Sequence, residues 1–189
     1  MSSKSWKSDF SAWVSTRMLK PKVLLLLTLL IVASVYIGQG GESPGPWGRD
    51  AIALTILVTA FRLLDDLADA DHDRHRHPER VICRTEFSTE LRRVVNFLLA
   101  LGTGLMLVFY SPWSLLLLAV VILMLDGWYS YRGRQQKPLR NAAVILAKYP
   151  AFLIMTGGDE RIRSFPVAAG VYVLLLAAEW RSVSRLSQS

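Results

Sequence analysis

The chain has 189 residues, of which 52% are hydrophobic, and it carries a formal net charge of +7, which fits one domain and excludes a disordered basic tail. Its single cysteine, Cys83, excludes an internal disulfide framework and a CxxC metal ribbon. The basic residues lie in short blocks between long apolar runs, which indicates an integral membrane protein rather than a soluble, secreted or nucleic-acid-binding one.

The N-terminal segment combines aromatic and basic residues. Trp6, Phe10, Trp13 and Val14 follow one another at helical spacing, which predicts an interfacial helix on the cytoplasmic surface of the membrane. A disordered tail with incidental aromatic residues is the alternative. The first apolar run begins at residue 23 without a small-residue cleavage site, so we interpret it as an anchor and not as a signal peptide.

Six apolar runs follow, separated by proline, glycine and charged residues. Most approach the ~20 residues that cross a hydrocarbon core as a helix, and lipid does not satisfy the backbone of open strands. A buried core helix explains one such run but explains six in series poorly. The sequence therefore predicts an all-α integral membrane helical bundle with about six transmembrane helices. The runs are residues 23–37, 51–64, 94–110, 113–125, 142–156 and 165–178.

The distribution of Lys and Arg predicts the orientation of the bundle. The N-terminal segment and loops two and four are rich in basic residues, whereas loops one, three and five have few or balanced ones. By the positive-inside bias, both termini and loops two and four are cytoplasmic, in a multi-pass protein of the plasma (inner) membrane. The expected organisation is a cytoplasmic interfacial segment at 1–21, a single membrane domain at 22–180 and a cytoplasmic tail at 181–189.

Residues 61–80, FRLLDDLADADHDRHRHPER, contain five aspartates. If the second helix continues, Asp65, Asp69 and Asp73 stand at i, i+4 and i+8 and form one acidic stripe. The stripe is costly because like charges repel at this spacing, because a helix C-terminus disfavours anions, and because Asp65 lies about 21 Å along the helix, below the membrane surface. A hard divalent cation offsets these costs, and Mg²⁺ commonly bridges carboxylates to a diphosphate. The spacing therefore predicts a Mg²⁺–diphosphate site at the mouth of a membrane cavity.

Other interpretations of this stretch remain open. In a solvated amphipathic loop the aspartates would pair with neighbouring arginines, namely Arg62, Arg74 and Arg76. The three histidines of the chain, at positions 72, 75 and 77, suggest a transition-metal site, but their spacing follows no structural zinc pattern and no cysteine supports it. We therefore interpret them as exposed loop histidines.

Two charged residues lie within or near the ends of other apolar runs, where charge is expensive. Lys148 lies six residues into the fifth run, close enough to its end to snorkel to the cytoplasmic side. Asp126 follows the fourth run at the same side. A structural pair between Asp126 and Lys148, or between Asp126 and an arginine, is as plausible as a role in substrate binding.

The pattern Asp65-Asp66-x-x-Asp69-x-x-x-Asp73 resembles the first aspartate motif, [N/D]DxxDxxxD, of the UbiA-type intramembrane prenyltransferases. The following Arg74 and the turn at 78–82 resemble that family too, although Val81 stands where members usually have proline. Leu19-Lys20-Pro21-Lys22 is similar to the entry to the family's first helix. Tyr129-Ser130-Tyr131 and Lys137 lie where members have a Tyr and a Lys, and Ser88, Glu90, Leu91 and Arg92 open the next helix as in one subgroup. The resemblance covers about residues 17–157.

Family members are all-helical membrane bundles that use Mg²⁺ to bind a prenyl diphosphate and transfer the prenyl group to an aromatic or lipid acceptor. The resemblance implies that four aspartates hold Mg²⁺ and the diphosphate, namely Asp65, Asp66, Asp69 and Asp73. The resemblance also implies that Arg80, Tyr129 and Lys137 neutralise the leaving diphosphate. It does not identify a catalytic residue. The expected partners are a prenyl diphosphate, a hydrophobic acceptor and membrane lipid, with no nucleic acid.

The family's second aspartate motif lies after its sixth helix, where this sequence ends, with Glu179 and Arg181 in the approach to it. Four explanations remain open from the sequence. The chain is a natural short form, a fragment, one partner of a homo-oligomer or hetero-complex that completes the site, or a non-catalytic membrane subunit or lipid-binding relative of the family.

Overall fold

A computed structural model of the protein describes residues 5–38, 47–131, 138–157 and 161–186. Every regular element in these ranges is helical. In chain order they are α1 (Trp6–Trp13), a π-helical segment (Val14–Met18), α2 (Pro21–Gly38), α3 (Trp47–Arg76), α4 (Val81–Arg84), α5 (Ser88–Phe109), α6 (Pro112–Tyr131), α7 (Pro138–Leu146), α8 (Lys148–Thr156) and α9 (Arg161–Leu186).

The all-helical prediction is confirmed, and the six apolar runs fall in α2, α3, α5, α6, the α7–α8 pair and α9. Among the described helices, α2, α5 and α6 are long and apolar enough to cross a membrane by themselves. Helix α3 has 30 residues but contains the charged aspartate stretch. The expectation of six single spanning helices is therefore not met by the fifth run, which forms two helices of nine residues each.

The break between α7 and α8 has a local cause. Pro150 is the third residue of α8. A proline has no N–H to donate, and its ring clashes with the carbonyl group four residues earlier, which here belongs to Leu146. The α7 helix therefore ends at Leu146, and Ala147 lies between the two helices.

Helix α3 packs in the middle of the bundle, with α2, α5 and α8 against it. Its side chains Leu57 and Phe61 are fully buried. The Phe61 and Phe152 rings lie 5.3 Å apart between centroids and join α3 to α8. On α5, a Cβ atom at Gly102 would lie only 3.1 Å from Cδ2 of Leu57, so glycine allows α5 to pack closely on α3.

Large apolar side chains also lie on the outside of the bundle. Leu25 on α2, Leu107 on α5 and Leu123 on α6 are each about 70% exposed. A soluble monomer rarely exposes apolar surface on this scale. The outer faces of these three helices are therefore suited to lipid.

The two ends of the bundle are chemically different. One, which we name the Asp50 end, contains a buried carboxylate at the start of α3. The Tyr110 hydroxyl donates to Asp50 at 2.6 Å and the Ser34 hydroxyl donates to it at 3.0 Å. The Ser34 hydroxyl also lies 3.3 Å from Thr156 Oγ1. This network joins α2, α3, α8 and the end of α5 at a site that the sequence analysis did not identify.

The N-terminal segment forms a helix that docks into the bundle, in place of either the surface helix or the disordered tail considered from the sequence. Trp13 is completely buried, and the Phe10 ring stacks on it at 5.9 Å. Thr85 Oγ1 donates to Asp9 Oδ2 at 2.6 Å, which ties α1 to the residues after α4. The segment reaches the second end of the bundle, which we name the aspartate end because α3 presents Asp65 to Asp73 there.

Candidate functional site

Two of the predicted aspartates lie on the same side of α3. Asp66 and Asp73 are seven residues apart, which is almost two full turns of an α-helix. Asp65 is rotated by about 100° from Asp66, so it points to a different neighbour. The structure therefore divides the predicted stripe between two surroundings.

Asp66 binds the N-terminal segment. Its carboxylate accepts a hydrogen bond from Trp13 Nε1 at 2.8 Å and one from Arg17 Nε at 2.8 Å, and it accepts a further one from Arg17 Nη2. The Asp66 side chain is 11% exposed and that of Arg17 is 19% exposed. The hydrogen bond with Asp66 raises the pKa of Arg17 above its ordinary value, so this guanidinium stays charged at all accessible pH. Arg17 thus neutralises Asp66 directly.

Asp73 pairs with Arg80, one of the predicted diphosphate-binding residues. Helix α3 ends at Arg76, and a turn follows in which the Arg80 N–H donates to the His77 carbonyl at 3.1 Å. The turn reverses the direction of the chain and places Arg80 beside the Asp73 carboxylate, which lies two helical turns after Asp66 on α3. The sequence predicted both residues as parts of one site, and they are in contact.

These groups surround a cavity of about 380 Å³, which we name the aspartate cavity. This volume falls within the range of about 300–1,000 Å³ that is typical of small-molecule sites. Its charged lining comprises Arg17, Lys20, Asp66, Asp73, Glu79 and Arg80. Trp13, Val81 and Ile82 add an apolar wall, and His77 also lines the cavity while pairing with Glu79 at 3.4 Å.

Asp65 lies outside the lining of the aspartate cavity. It accepts a hydrogen bond from the Tyr129 hydroxyl and forms an ion pair with Lys148. The Lys148 side chain is 0% exposed, and its Nζ also lies 5.3 Å from the centre of the Tyr149 ring. From the sequence we considered an ion pair between Asp126 and Lys148. That interpretation was wrong, because the partner of Lys148 is Asp65. A buried lysine requires such a partner, since an unpaired charge is expensive to desolvate.

The remaining predicted site residues occupy different positions. Asp69 is partly buried, and its side chain interacts with another group of the protein. Tyr129 lies in a second cavity, between α3, α5 and α6. Lys137 lies outside the described residues. Asp71 is 95% exposed and pairs with Arg74 at 3.4 Å, on the solvated side of the aspartate ladder, by which we mean the five aspartates between positions 65 and 73 of α3.

Whether these residues suit Mg²⁺ depends on the other ligands that bind the ion together with them. In the described part of the chain no group of three or more His, Cys, Asp or Glu side chains is placed to hold a metal ion. Mg²⁺, however, is usually bound by one or two carboxylates together with waters and substrate phosphates, and not by a cage of protein ligands. Asp66 and Asp73 supply two hard oxygen donors in one cavity with cations beside them, so the donor chemistry fits Mg²⁺ that arrives with a diphosphate.

A further observation concerns Arg62, one helical turn before Asp66. Within the described residues, its Nε is buried and has no hydrogen-bond partner. A buried donor without an acceptor costs about 1–3 kcal/mol. An oxygen of water or of a bound anion would satisfy it.

Three residues of this site were not identified as such from the sequence. Trp13 and Arg17 were assigned to the membrane surface, because aromatic and basic residues at helical spacing are typical of interfacial helices. Lys148 was noted as a costly charge, but the partner considered for it was Asp126 and not Asp65. Only the charge of Arg17 and Lys148 signalled that an acidic partner was needed.

The model of the UbiA prenyltransferase family matches residues 24–177 of the chain. No curated protein and no solved structure matches the chain. The matched range contains the whole aspartate ladder and Lys148, whereas Trp13 and Arg17 precede it.

Proposed function

Because the chain belongs to the UbiA prenyltransferase family, an all-helical membrane family, we propose that it binds a prenyl diphosphate with Mg²⁺ in the aspartate cavity and transfers the prenyl group to an aromatic or lipid acceptor. The single observation that supports this most strongly is the composition of that cavity. Two aspartates of the family-like motif line it, and three basic side chains line it with them.

The basic residues provide the contacts that a diphosphate needs. Arg17 and Arg80 hold guanidinium groups at the cavity, and a guanidinium binds phosphate oxygens with two parallel hydrogen bonds. Lys20 adds a third positive charge. We propose that these groups turn from the carboxylates to the phosphate oxygens on binding, so that neither the cations nor the diphosphate is left unpaired.

Asp66 and Asp73 then act as the metal ligands. Asp69 is the third proposed ligand, since it lies on α3 between them. When bound, Mg²⁺ stabilises the negative charge that develops on the leaving diphosphate oxygens. Arg17 and Arg80 stabilise the same charge from the protein side, and such preorganised donors commonly contribute several kcal/mol to a transition state.

The roles of Asp65, Tyr129 and Lys148 follow from their contacts. Lys148 neutralises Asp65, and Tyr129 holds the Asp65 carboxylate from a second side. We propose that this group of three fixes α3 against α6 and α8 and thereby positions the adjacent Asp66. A direct role of Asp65 and Tyr129 at the diphosphate stays a prediction.

We also propose that the aspartate end faces the cytoplasm, in the plasma membrane, as the Lys and Arg distribution predicts. The test replaces Cys83 and introduces a cysteine at position 78, in the turn after α3. An impermeant thiol reagent should label it in inside-out membrane vesicles. Labelling only from the outside of intact cells would reverse the assignment.

The function is tested with the purified full-length protein, labelled prenyl diphosphates of ten carbons and longer, Mg²⁺ and a membrane lipid extract. We expect diphosphate release and a prenylated lipid-soluble product, both abolished by EDTA. Asp73→Asn and Arg80→Gln should each weaken diphosphate binding about tenfold or more, as loss of a charged contact predicts. Asp71→Asn is the matched control, because Asp71 lies in the same ladder but is 95% exposed; it should bind as the wild type does.

Equal binding by the Asp73 and Asp71 variants would refute the site. Helix content and melting temperature must be measured in parallel, because Asp73→Asn also breaks the pair with Arg80. Loss of binding counts in favour of the site only if the variant is folded.

A second candidate function, a non-catalytic subunit or lipid-binding relative, is favoured by a different observation. Asp65, Asp66 and Asp73 each pair with a cation of the same chain, so these aspartates are stable without a ligand. Diphosphate binding without product, or product only after a second protein is added, would support this function over the enzyme.

A further inference from the structure

The second cavity, which we name the lateral cavity, lies between α3, α5 and α6 and has a volume of about 340 Å³. Its polar lining includes Arg92 and Asn96 from α5 and Asp126 and Ser130 from α6. Apolar side chains such as Leu67 close it on the α3 side. The cavity therefore has a positive group and a negative group on facing helices, above an apolar floor.

Both charged groups lie near the membrane surface. Arg92 is four residues from the start of α5 and Asp126 is five residues from the end of α6. At 1.5 Å per residue these positions are about 6 Å and 7.5 Å from the helix ends. Helices α5 and α6 are about 33 Å and 30 Å long, close to the ~30 Å thickness of the hydrocarbon core, so Arg92 and Asp126 lie one to two helical turns inside the same boundary between headgroups and hydrocarbon.

The surface next to the lateral cavity, toward the middle of these helices, is apolar. Phe97 follows Asn96 on α5 and is 65% exposed, and Leu123 precedes Asp126 by one turn on α6 and is 71% exposed. Acyl chains attached to a headgroup in the cavity would lie along these side chains. The cavity and its surroundings thus have the polarity of a whole lipid, with a polar pocket and an apolar track.

We propose that the lateral cavity binds the headgroup of a zwitterionic phospholipid with a primary amine. The Arg92 guanidinium binds the lipid phosphate and the Asp126 carboxylate accepts from the ammonium group, with Asn96 and Ser130 as further hydrogen-bond partners. A primary ammonium donates three hydrogen bonds, whereas a quaternary ammonium donates none. A purely anionic headgroup would use Arg92 but would be repelled by Asp126. This site is separate from the aspartate cavity and does not depend on the proposed transferase function.

The test uses the full-length protein in detergent micelles with an equimolar mixture of phosphatidylethanolamine, phosphatidylcholine and phosphatidylglycerol of identical acyl chains. Native mass spectrometry measures how many molecules of each lipid stay bound. We expect the ethanolamine lipid to be retained about tenfold more than the choline lipid, because only a primary ammonium donates hydrogen bonds to Asp126; a tenfold ratio corresponds to about 1.4 kcal/mol.

Two variants and a matched control complete the test. Asp126→Asn should remove the preference for ethanolamine over choline, and Arg92→Gln should reduce retention of both lipids. Arg93→Gln is the control, since Arg93 is as exposed as its neighbour Arg92 but does not line the cavity; it should behave as the wild type does. Equal retention of the two zwitterionic lipids by the wild type, a preference for the glycerol lipid, or equal effects of the Arg92 and Arg93 variants would overturn the proposal.

Discussion

Lys148 offers the sharpest test of how the aspartate end is held together. Its side chain is 0% exposed and forms an ion pair with Asp65, which is 15% exposed. Removing one partner of a buried pair typically costs 3–5 kcal/mol, because the other charge remains without compensation. Asp65 keeps its hydrogen bond from Tyr129 and some access to water. We therefore expect Lys148→Met to cost about 3 kcal/mol, the lower end of this range.

The assay is thermal unfolding of the purified full-length protein in detergent. For a chain of this size 1 kcal/mol corresponds to roughly 2–4 °C, so the melting temperature should fall by about 6–12 °C. Lys22→Met, which removes an exposed lysine of α2, is the control and should leave the melting temperature unchanged.

The double variant separates a pair from two independent residues. Asp65→Asn removes the charge that Lys148 neutralises, so Asp65→Asn/Lys148→Met should be more stable than Lys148→Met alone, with a coupling energy of about 2 kcal/mol. Additive losses, or a Lys148→Met variant as stable as the wild type, would refute the pair. Loss of diphosphate binding at unchanged stability would instead show that Lys148 contacts substrate.

Three further outcomes follow from other parts of the bundle. Tyr110→Phe removes a donor from the buried carboxylate of the Asp50 end and should destabilise the protein by about 1.5–3 kcal/mol in the same unfolding assay, whereas Tyr36→Phe, at a 68% exposed tyrosine, should have no effect. Gly102→Ala should melt lower than Gly104→Ala, because a Cβ at Gly102 meets a buried leucine of α3 and one at Gly104 meets nothing within 4 Å; equal melting would disprove the close packing. Burial raises the pKa of the Cys83 thiol, so a maleimide should label it more slowly in the folded protein than in SDS at pH 7.5, and equal rates would contradict this.

The helices of this fold could be predicted from the sequence because their cause is local. Uninterrupted apolar residues such as those of α2 and α6 have few stable arrangements in lipid besides a helix. The division of the fifth run into α7 and α8 has a local cause too, at Pro150, but it was not predicted. Proline is tolerated in the first turn of a helix and breaks its interior, so the position of the break depends on where the next helix begins.

The partners within the candidate site could not be predicted in the same way. Trp13 and Arg17 bind Asp66 across 53 and 49 residues of sequence, and Lys148 binds Asp65 across 83. Helical spacing indicates which residues share a face but not which helix that face contacts. The i, i+4 spacing singled out a stripe that begins at Asp65, whereas α1 and the π-helical segment after it contact the face of Asp66.

The charges of the aspartate cavity give the reason why a divalent cation should be needed. Three carboxylates, Asp66, Asp73 and Glu79, and three permanent cations, Arg17, Lys20 and Arg80, line it, so their formal charges sum to zero. A diphosphate brings several negative charges into this neutral cavity, and each guanidinium that turns to it leaves a carboxylate uncompensated. Added positive charge removes both costs at once. We therefore expect prenyl diphosphate to bind at least about tenfold more weakly in EDTA than in Mg²⁺, and equal binding in the two buffers would show that the arginines alone hold the diphosphate.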